Sequence, residues 1–398
     1  MGVHIQNMNY SSFLNYTGNY KNMTMNDFLY FQQKIQSQYI QSHYLYYPIN
    51  TINNNLKPEN VYVSDCAYSA WQNAHETQLD ISNVTITKCI DVSINNIQDI
   101  IHLIRDNPYE EHVEYNIHLK ELHLVKDDLV NLQNMVGMES VKESILHQLI
   151  YFIQRLHVSD NDVSDFKHTV IMGPPGTGKT ELAKIIGKIY SKIGILKNVF
   201  KKVTRSELVA GYLGQTAIKT KKVIDECMGG VLFIDEAYSL GSDDSFSREC
   251  VDTLCEALSD HKKDLMVIVA GYETDLNEKF FPMNAGLSSR FIWRFTIEPY
   301  KPIELMQIFQ KKIKEQGWSH EPMDVNWFVS KKEHFKNFGR DMEILLSYVK
   351  IMHAQRIYGK DPSLKKRISF IDLDEGMKQF MKHMKKDPCF SHMNSLYV

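Results

Sequence analysis

The run Ile171-Met172-Gly173-Pro174-Pro175-Gly176-Thr177-Gly178-Lys179-Thr180 is where residue types and spacing in this 398-residue sequence specify chemistry most directly. It fits G-x-x-x-x-G-K-[ST], between a short apolar run and an amphipathic one. Gly176 and Gly178 let the backbone curl so that successive N–H groups point at phosphate oxygens. The following helix N-terminus adds positive potential. In such a loop Lys179 reaches the β and γ phosphates, and the Thr180 hydroxyl is a ligand for Mg²⁺. Downstream, Val231-Leu232-Phe233-Ile234-Asp235-Glu236 places two carboxylates at the end of a buried strand. Beside a phosphate loop, Asp235 would hold Mg²⁺, mostly through water, and Glu236 would activate the attacking water as general base.

Those residues need a scaffold, and the hydrophobic pattern supplies one. Strands are expected at 168–172, 199–203, 231–235, 265–271 and 292–297, with amphipathic helices between them. Leu182, Ile185, Ile186, Ile189 and Ile193 recur on one helical face, and Gly194 ends that helix. This alternation predicts an α/β fold with a doubly wound parallel five-stranded sheet. After Pro299 the strands stop. Pro302 suits the first position of a helix ending at Gly317, and a second helix is expected over 340–358. A helical subdomain therefore follows the sheet.

The expected domains are an N-terminal accessory region at 1–126, an α/β nucleotide-binding subdomain at 127–300 and a helical lid at 301–398. In the first region, 1–58 reads as weakly folded and Asn- and Tyr-rich. From 60 to 124 a small α+β module is expected, with a helix after Ser93 as N-cap and an alternating strand through Val113, Tyr115, Ile117 and Leu119. The basic tail from Lys378 reads as a solvated helix end.

Composition narrows the function classes. The sequence is 43% hydrophobic and 23% charged, which is ordinary for globular domains. A net charge of -3 argues against bulk nucleic-acid or anionic-membrane binding. No apolar run approaches the ~18 residues of a membrane span, and neither a secretory signal nor a myristoylation pattern is seen at the N-terminus. The 6 Cys include no C-x-x-C, and the 16 His form no zinc pattern. Reduced thiols in a cytoplasmic protein are the expectation.

The two motifs, their spacing and the C-terminal helices resemble the AAA+ ATPases, and more narrowly their CbbX/SpoVK-like group. The likeness covers about 127 to 360. It rests also on Asn134-Met135-Val136-Gly137-Met138-Glu139-Ser140-Val141-Lys142, on Ala237-Tyr238 after the acidic pair, on Ala270-Gly271-Tyr272 and on Asn284-Ala285-Gly286-Leu287-Ser288-Ser289-Arg290-Phe291. The Asn-, Ile-, Lys- and Tyr-rich composition is similar to proteins of AT-rich genomes, giant DNA viruses among them.

The resemblance implies ATP and Mg²⁺ as cofactors, with Val136 and Gly137 near the adenine and Gly173 to Thr180 around the phosphates. It implies that Arg290 is an arginine finger acting on a neighbouring subunit, with Arg294 as second candidate, and that Arg340 reaches the nucleotide from the lid. Tyr212-Leu213-Gly214 falls at the position of an aromatic pore loop. Lys219, Lys221 and Lys222 beyond it read either as a basic face near the channel or, the favoured reading, as a solvated helix face. A polar residue common at the end of the fourth strand is replaced by Gly271-Tyr272, which leaves the water-positioning partner of Glu236 unassigned. The implied assembly is a homo-oligomeric, usually hexameric ring acting on an unknown protein client; no membrane partner is expected, and nucleic acid is disfavoured as one. Three functions are compatible with these residues: a protein remodeller, a nucleic-acid motor or loader, and a nucleotide-gated scaffold. The aromatic triplet and the near-neutral charge favour the first. A loader would want basic channel loops, and a scaffold would not need Glu236 and Arg290.

Overall fold

The computed structural model describes residues 86–158, 164–212 and 214–386. The reading of 1–58 as weakly folded lies outside the described residues, as does Leu213. Two short parallel strands, β1 (Ile86–Lys88) and β2 (Val113–Tyr115), flank helix α1 (Ile97–Asp106). Helices α2 (Leu119–Gln133) and α3 (Glu139–Ile153) follow. The N-cap of α1 is Asn96, not the expected Ser93. The Asn96 side chain accepts from the Asp99 amide at 3.1 Å, and the Asp99 carboxylate accepts from the Asn96 amide at 3.1 Å. This reciprocal cap satisfies two of the otherwise unpartnered helix-start donors. The expected strand through Leu119 stops at Tyr115, because Leu119 opens a helix that buries Leu119, Leu122, Val125, Leu129 and Leu132 along one side.

That helix also corrects the expected boundary at 126/127, which falls inside α2. Ile97, Ile100 and Ile104 of α1 share one buried cluster with Leu129, with Ile145 of α3 and with sheet residues such as Ile171 and Phe233. Residues from about 97 onward are therefore part of the wall of the sheet domain rather than a separate module.

The sheet comprises β3 (Thr169–Met172), β4 (Phe200–Val203), β5 (Val231–Ile234), β6 (Met266–Gly271) and β7 (Trp293–Thr296). Its order is β4-β5-β6-β3-β7, with every pairing parallel. Helix α4 (Lys179–Lys192) follows β3. The short α5 (Arg205–Leu208) and α6 (Thr216–Glu226) follow β4, α7 (Ser245–Asp260) follows β5, and the single-turn α8 (Gly286–Arg290) precedes β7. Strand side chains alternate between faces. Ile171, Phe233 and Ile268 face α1 to α4, whereas Val170, Leu232, Ile234 and Val267 face the cluster of α6 and α7. With both faces covered, the central β5 and β6 are apolar runs without polar alternation, whereas the edge strands β4 and β7 carry Lys201, Lys202 and Arg294. Each fully buried Ile, Leu or Phe contributes about 1.5–3 kcal/mol of transfer free energy.

The chain leaves β3 for one edge, returns through β5 and β6, and then crosses to place β7 on the other side of β3. Strand order thus reverses beside β3, and the crevice at the strand C-termini there is where ligands bind in open α/β sheets. The C-terminal part is helical: α9 (Pro302–Glu315), α10 (Val325–Lys331), α11 (Phe338–Ile357) and α12 (Phe370–Lys386), with a two-residue parallel pairing of β8 (Ser319–His320) and β9 (Arg367–Ile368). Their core joins Leu305, Phe309, Phe328, Leu345, Val349 and Phe380. Asp372, buried in this part, receives Arg356 at 2.6 Å and His353 at 2.9 Å.

Candidate active site

The phosphate loop grows out of β3, whose four residues are all buried. Gly173, Gly176 and Gly178 carry φ values of +152°, +71° and +89°. Pro175 and Gly176 form a turn, and the amides of Gly176 and Gly178 make no backbone hydrogen bond among the described residues. The first amides of α4, from Lys179 onward, have no intrahelical partner by geometry. The loop is thus a concave row of free donors at a helix N-terminus, the arrangement that fits phosphate oxygens. Around it, the Lys179 ammonium donates to the carbonyls of Gly173 at 2.9 Å and Pro174 at 2.8 Å. The Thr177 hydroxyl donates to Pro174 O at 2.8 Å. Pro174, Pro175 and Thr180 are half-buried along the loop. Burial pushes the Lys179 ammonium down to about 8, against the opposing pull of the Asp235 and Glu236 carboxylates and with a further push from Arg340. An ammonium held among carbonyls, with its charge under strain, is the form an anion would relieve.

The acidic pair sits where β5 ends. The Asp235 amide donates to Val203 O at 3.0 Å, which fixes its backbone to β4. Its Oδ1 accepts from the Glu236 amide at 3.1 Å and its Oδ2 pairs with Lys202 at 2.6 Å. Glu236 lies in the left-handed region at φ +51°, with its carboxylate exposed. Strained non-glycine backbone of this kind persists where the surroundings fix it and clusters at functional sites. A cleft of ≈420 Å³ lined by Thr204, Arg205, Asp235, Glu236 and Ser239 opens beside it. Tyr272, after β6, stacks on Tyr238 at 5.4 Å between ring centres, and the Lys179 ammonium lies 5.6 Å from its ring. An aromatic ring therefore occupies the place where a polar partner for Glu236 was sought.

The lid closes onto the loop through backbone. Gly339 N donates to Gly176 O at 2.9 Å, and the Tyr300 hydroxyl donates to Thr177 O at 2.9 Å. A Cβ on Gly176 would lie 1.9 Å from Asn337 O, so only glycine allows this approach. Arg340 is exposed in the first turn of α11. Met135 and Met138 approach Gly178, while Gly137 lies against Glu304 and Tyr300 and Val136 is half-buried.

Asp235, Glu236 and Arg340 are thus each brought within electrostatic reach of Lys179. Arg290 is not among them. Its Nε donates to Ser259 Oγ at 2.7 Å and its Nη1 to Gly286 O at 2.8 Å, so it is folded back on its own chain. Arg294 stacks over the Phe281 ring at 4.5 Å. Tyr212 is 74% exposed, and Gly214 has φ +76° with open space around it. Lys219, expected to be solvated, donates instead to Ser206 O at 2.7 Å and Val209 O at 2.8 Å, pinning the base of the Tyr212 loop.

Sequence reasoning missed Lys202, Tyr300 and the Asn337–Gly339 segment. Lys202 had a signal, since two consecutive lysines are unusual within a parallel strand. No three His, Cys, Asp or Glu side chains converge to hold a metal among the described residues. A single hydroxyl and a single carboxylate fit Mg²⁺, which is bound through one or two protein groups together with substrate phosphates. The row of free amides and Lys179 fit the triphosphate.

A family model described as "ATPase family associated with various cellular activities (AAA)" matches residues 169–291. The chain is 39% identical over 292 residues to a cfxQ-like protein of Acanthamoeba polyphaga mimivirus, covering 71% of this chain and 71% of that protein. It is 42% identical over 194 residues to the ESX-1 secretion system protein EccA1 of Mycobacterium tuberculosis H37Rv, covering 46% of this chain. The chain spans about a third of that relative, 34% of its length. Among solved structures it is similar to the FIGL-1 AAA domain in complex with ADP, at 21% identity and TM-score 0.47 over 64% of this chain and 89% of that one.

Proposed function

The chain belongs to the AAA family of ATPases, and from that premise we propose that it works as a homo-oligomeric ring, usually hexameric in this family, that remodels a protein client through a central pore. The observation that carries the reading is the exposed Tyr212 between Gly211 and Gly214, with nothing within 4 Å of the Cβ position at either glycine. An unpacked aromatic three residues past the end of the Lys219-pinned segment suits gripping apolar side chains.

In this reading the loop amides and Lys179 bind the β and γ phosphates. Thr180 and Asp235 hold Mg²⁺, which when bound offsets developing phosphoryl charge. Glu236 accepts a proton from the attacking water. Arg340 closes the site from the lid, and Arg290 serves the neighbouring subunit once it releases Ser259 and the Gly286 carbonyl. The net charge of -3 gives the nucleic-acid alternative no support.

A photo-crosslinking residue at position 212, in a Glu236→Gln background held in ATP, tests the pore. With casein as an unstructured probe, crosslinks are expected at 212 in ATP and not in ADP. Capture of casein without any crosslink at 212 would refute the pore as placed here.

A further inference from the structure

On the reading that Asp235 faces a nucleotide-bound magnesium, we infer that Lys202 is a built-in counter-cation for that carboxylate, displaced by the incoming metal, so that it sets the magnesium requirement of nucleotide binding.

The chain places two lysines side by side in β4, and they have different destinations. Lys201 pairs with Glu226 of α6, at the edge of the sheet. Lys202, pointing to the opposite face as strand alternation requires, pairs with Asp235 at 2.6 Å. Its ammonium also lies 6.0 Å from the Phe233 ring. Asp235 has little freedom, because its amide is bonded to Val203 O and its Oδ1 to the Glu236 amide. Oδ2 is the oxygen left to face a metal, and Lys202 covers it. The two partners are unequally exposed, 47% for the Lys202 side chain against 20% for Asp235. Lys202 can therefore withdraw into water along its flexible stem, whereas the carboxylate stays.

An ammonium and a divalent cation cannot share one carboxylate oxygen without strong repulsion. Two other nearby cations are already committed: Lys179 donates to the carbonyls of Gly173 at 2.9 Å and Pro174 at 2.8 Å, and Arg205 donates to Ser239 O at 2.8 Å and pairs with Asp244 at 2.9 Å. Lys202 is thus the group whose removal frees Asp235. It keeps the carboxylate paired when no metal is present and raises the magnesium concentration needed to dislodge it.

The test reads binding rather than turnover. A fluorescent ADP analogue is titrated with Mg²⁺ from a chelated start, and the half-saturating Mg²⁺ is recorded. Lys202→Met is expected to lower it by about fivefold, the upper range for a partly exposed ion pair. Lys202→Arg, which keeps the charge, should stay within about twofold of wild type on the same scale. In an Asp235→Asn background, Lys202→Met should have no further effect. A half-saturation that is unchanged or raised in Lys202→Met, while Asp235→Asn shifts it, overturns the counter-cation and leaves the metal-facing Asp235 standing. No shift with Asp235→Asn removes the premise and the inference together.

Discussion

Replacing Gly176 with Ala should loosen the lid far more than its size suggests. Two effects add. At φ +71° a Cβ costs about 1–2 kcal/mol relative to glycine. The added carbon would also lie 1.9 Å from Asn337 O, 2.9 Å from Asn337 C and 3.1 Å from Arg340 N. All three are backbone atoms of the lid, so no side-chain rotation relieves the clash. The lid must retreat by about 1 Å or more to restore ordinary contact. That retreat breaks the 2.9 Å bond from Gly339 N to Gly176 O, worth about 0.5–1.5 kcal/mol. Together the docked lid loses about 1.5–3.5 kcal/mol, which is a shift of roughly ten- to three-hundredfold toward the undocked form. Hydrogen exchange of a peptide containing Gly339 reads this directly: its protection should fall by that order. Gly214→Ala is the control. It has φ +76° and open space, so it carries the conformational cost without touching the lid. Wild-type protection of the Gly339 amide in Gly176→Ala would refute the docking geometry.

Two further outcomes follow from the same site. Because burial lowers the Lys179 ammonium to about 8, the free protein loses that charge as pH rises past about 8. The unfolded state keeps it to about 10.4. Between those values the unfolded chain binds more protons, so this group's penalty on stability is full below about 8 and relieved as pH rises. Nucleotide affinity should run the other way, weakening above about pH 8 in a fluorescence titration, and Lys179→Ala should abolish binding across the range. Arg290→Ala should bind ATP and assemble but lose hydrolysis, and mixing it with Lys179→Ala protein should restore some phosphate release. No recovery in mixtures shown to co-assemble would count against a shared site.

The centre of the sheet was legible because its strands are short apolar runs bounded by polar or turn residues: Met266–Gly271 and Val231–Ile234 can hardly be read otherwise. The phosphate loop was legible for a similar reason, since its glycines, lysine and threonine act through local backbone geometry. What escaped depended on distant partners. Leu119 continues the alternation that begins at Val113, yet it opens a helix, because the stripe Leu122, Val125, Leu129 and Leu132 has a larger apolar surface to bury. Ser93 and Asn96 both suit a cap, and only Asn96 has Asp99 three residues on to complete the reciprocal pair. The 2.9 Å approach of Gly339 to Gly176 joins segments far apart in sequence, and nothing local to either announces it. Arg290 was read from its place in a motif, whereas its contacts with Ser259 and Gly286 follow from the packing of α7 against α8.

Phosphate release by Glu236→Gln at saturating MgATP, with ATP binding measured in the same sample, tests the central claim most directly. The substitution keeps size and hydrogen bonding while removing the proton acceptor. Turnover should fall by about a hundredfold or more, with affinity for ATP within a few-fold of wild type. Turnover near the wild-type rate, in protein that binds ATP normally, would contradict the assignment of Glu236 as the base and the account of hydrolysis built on it.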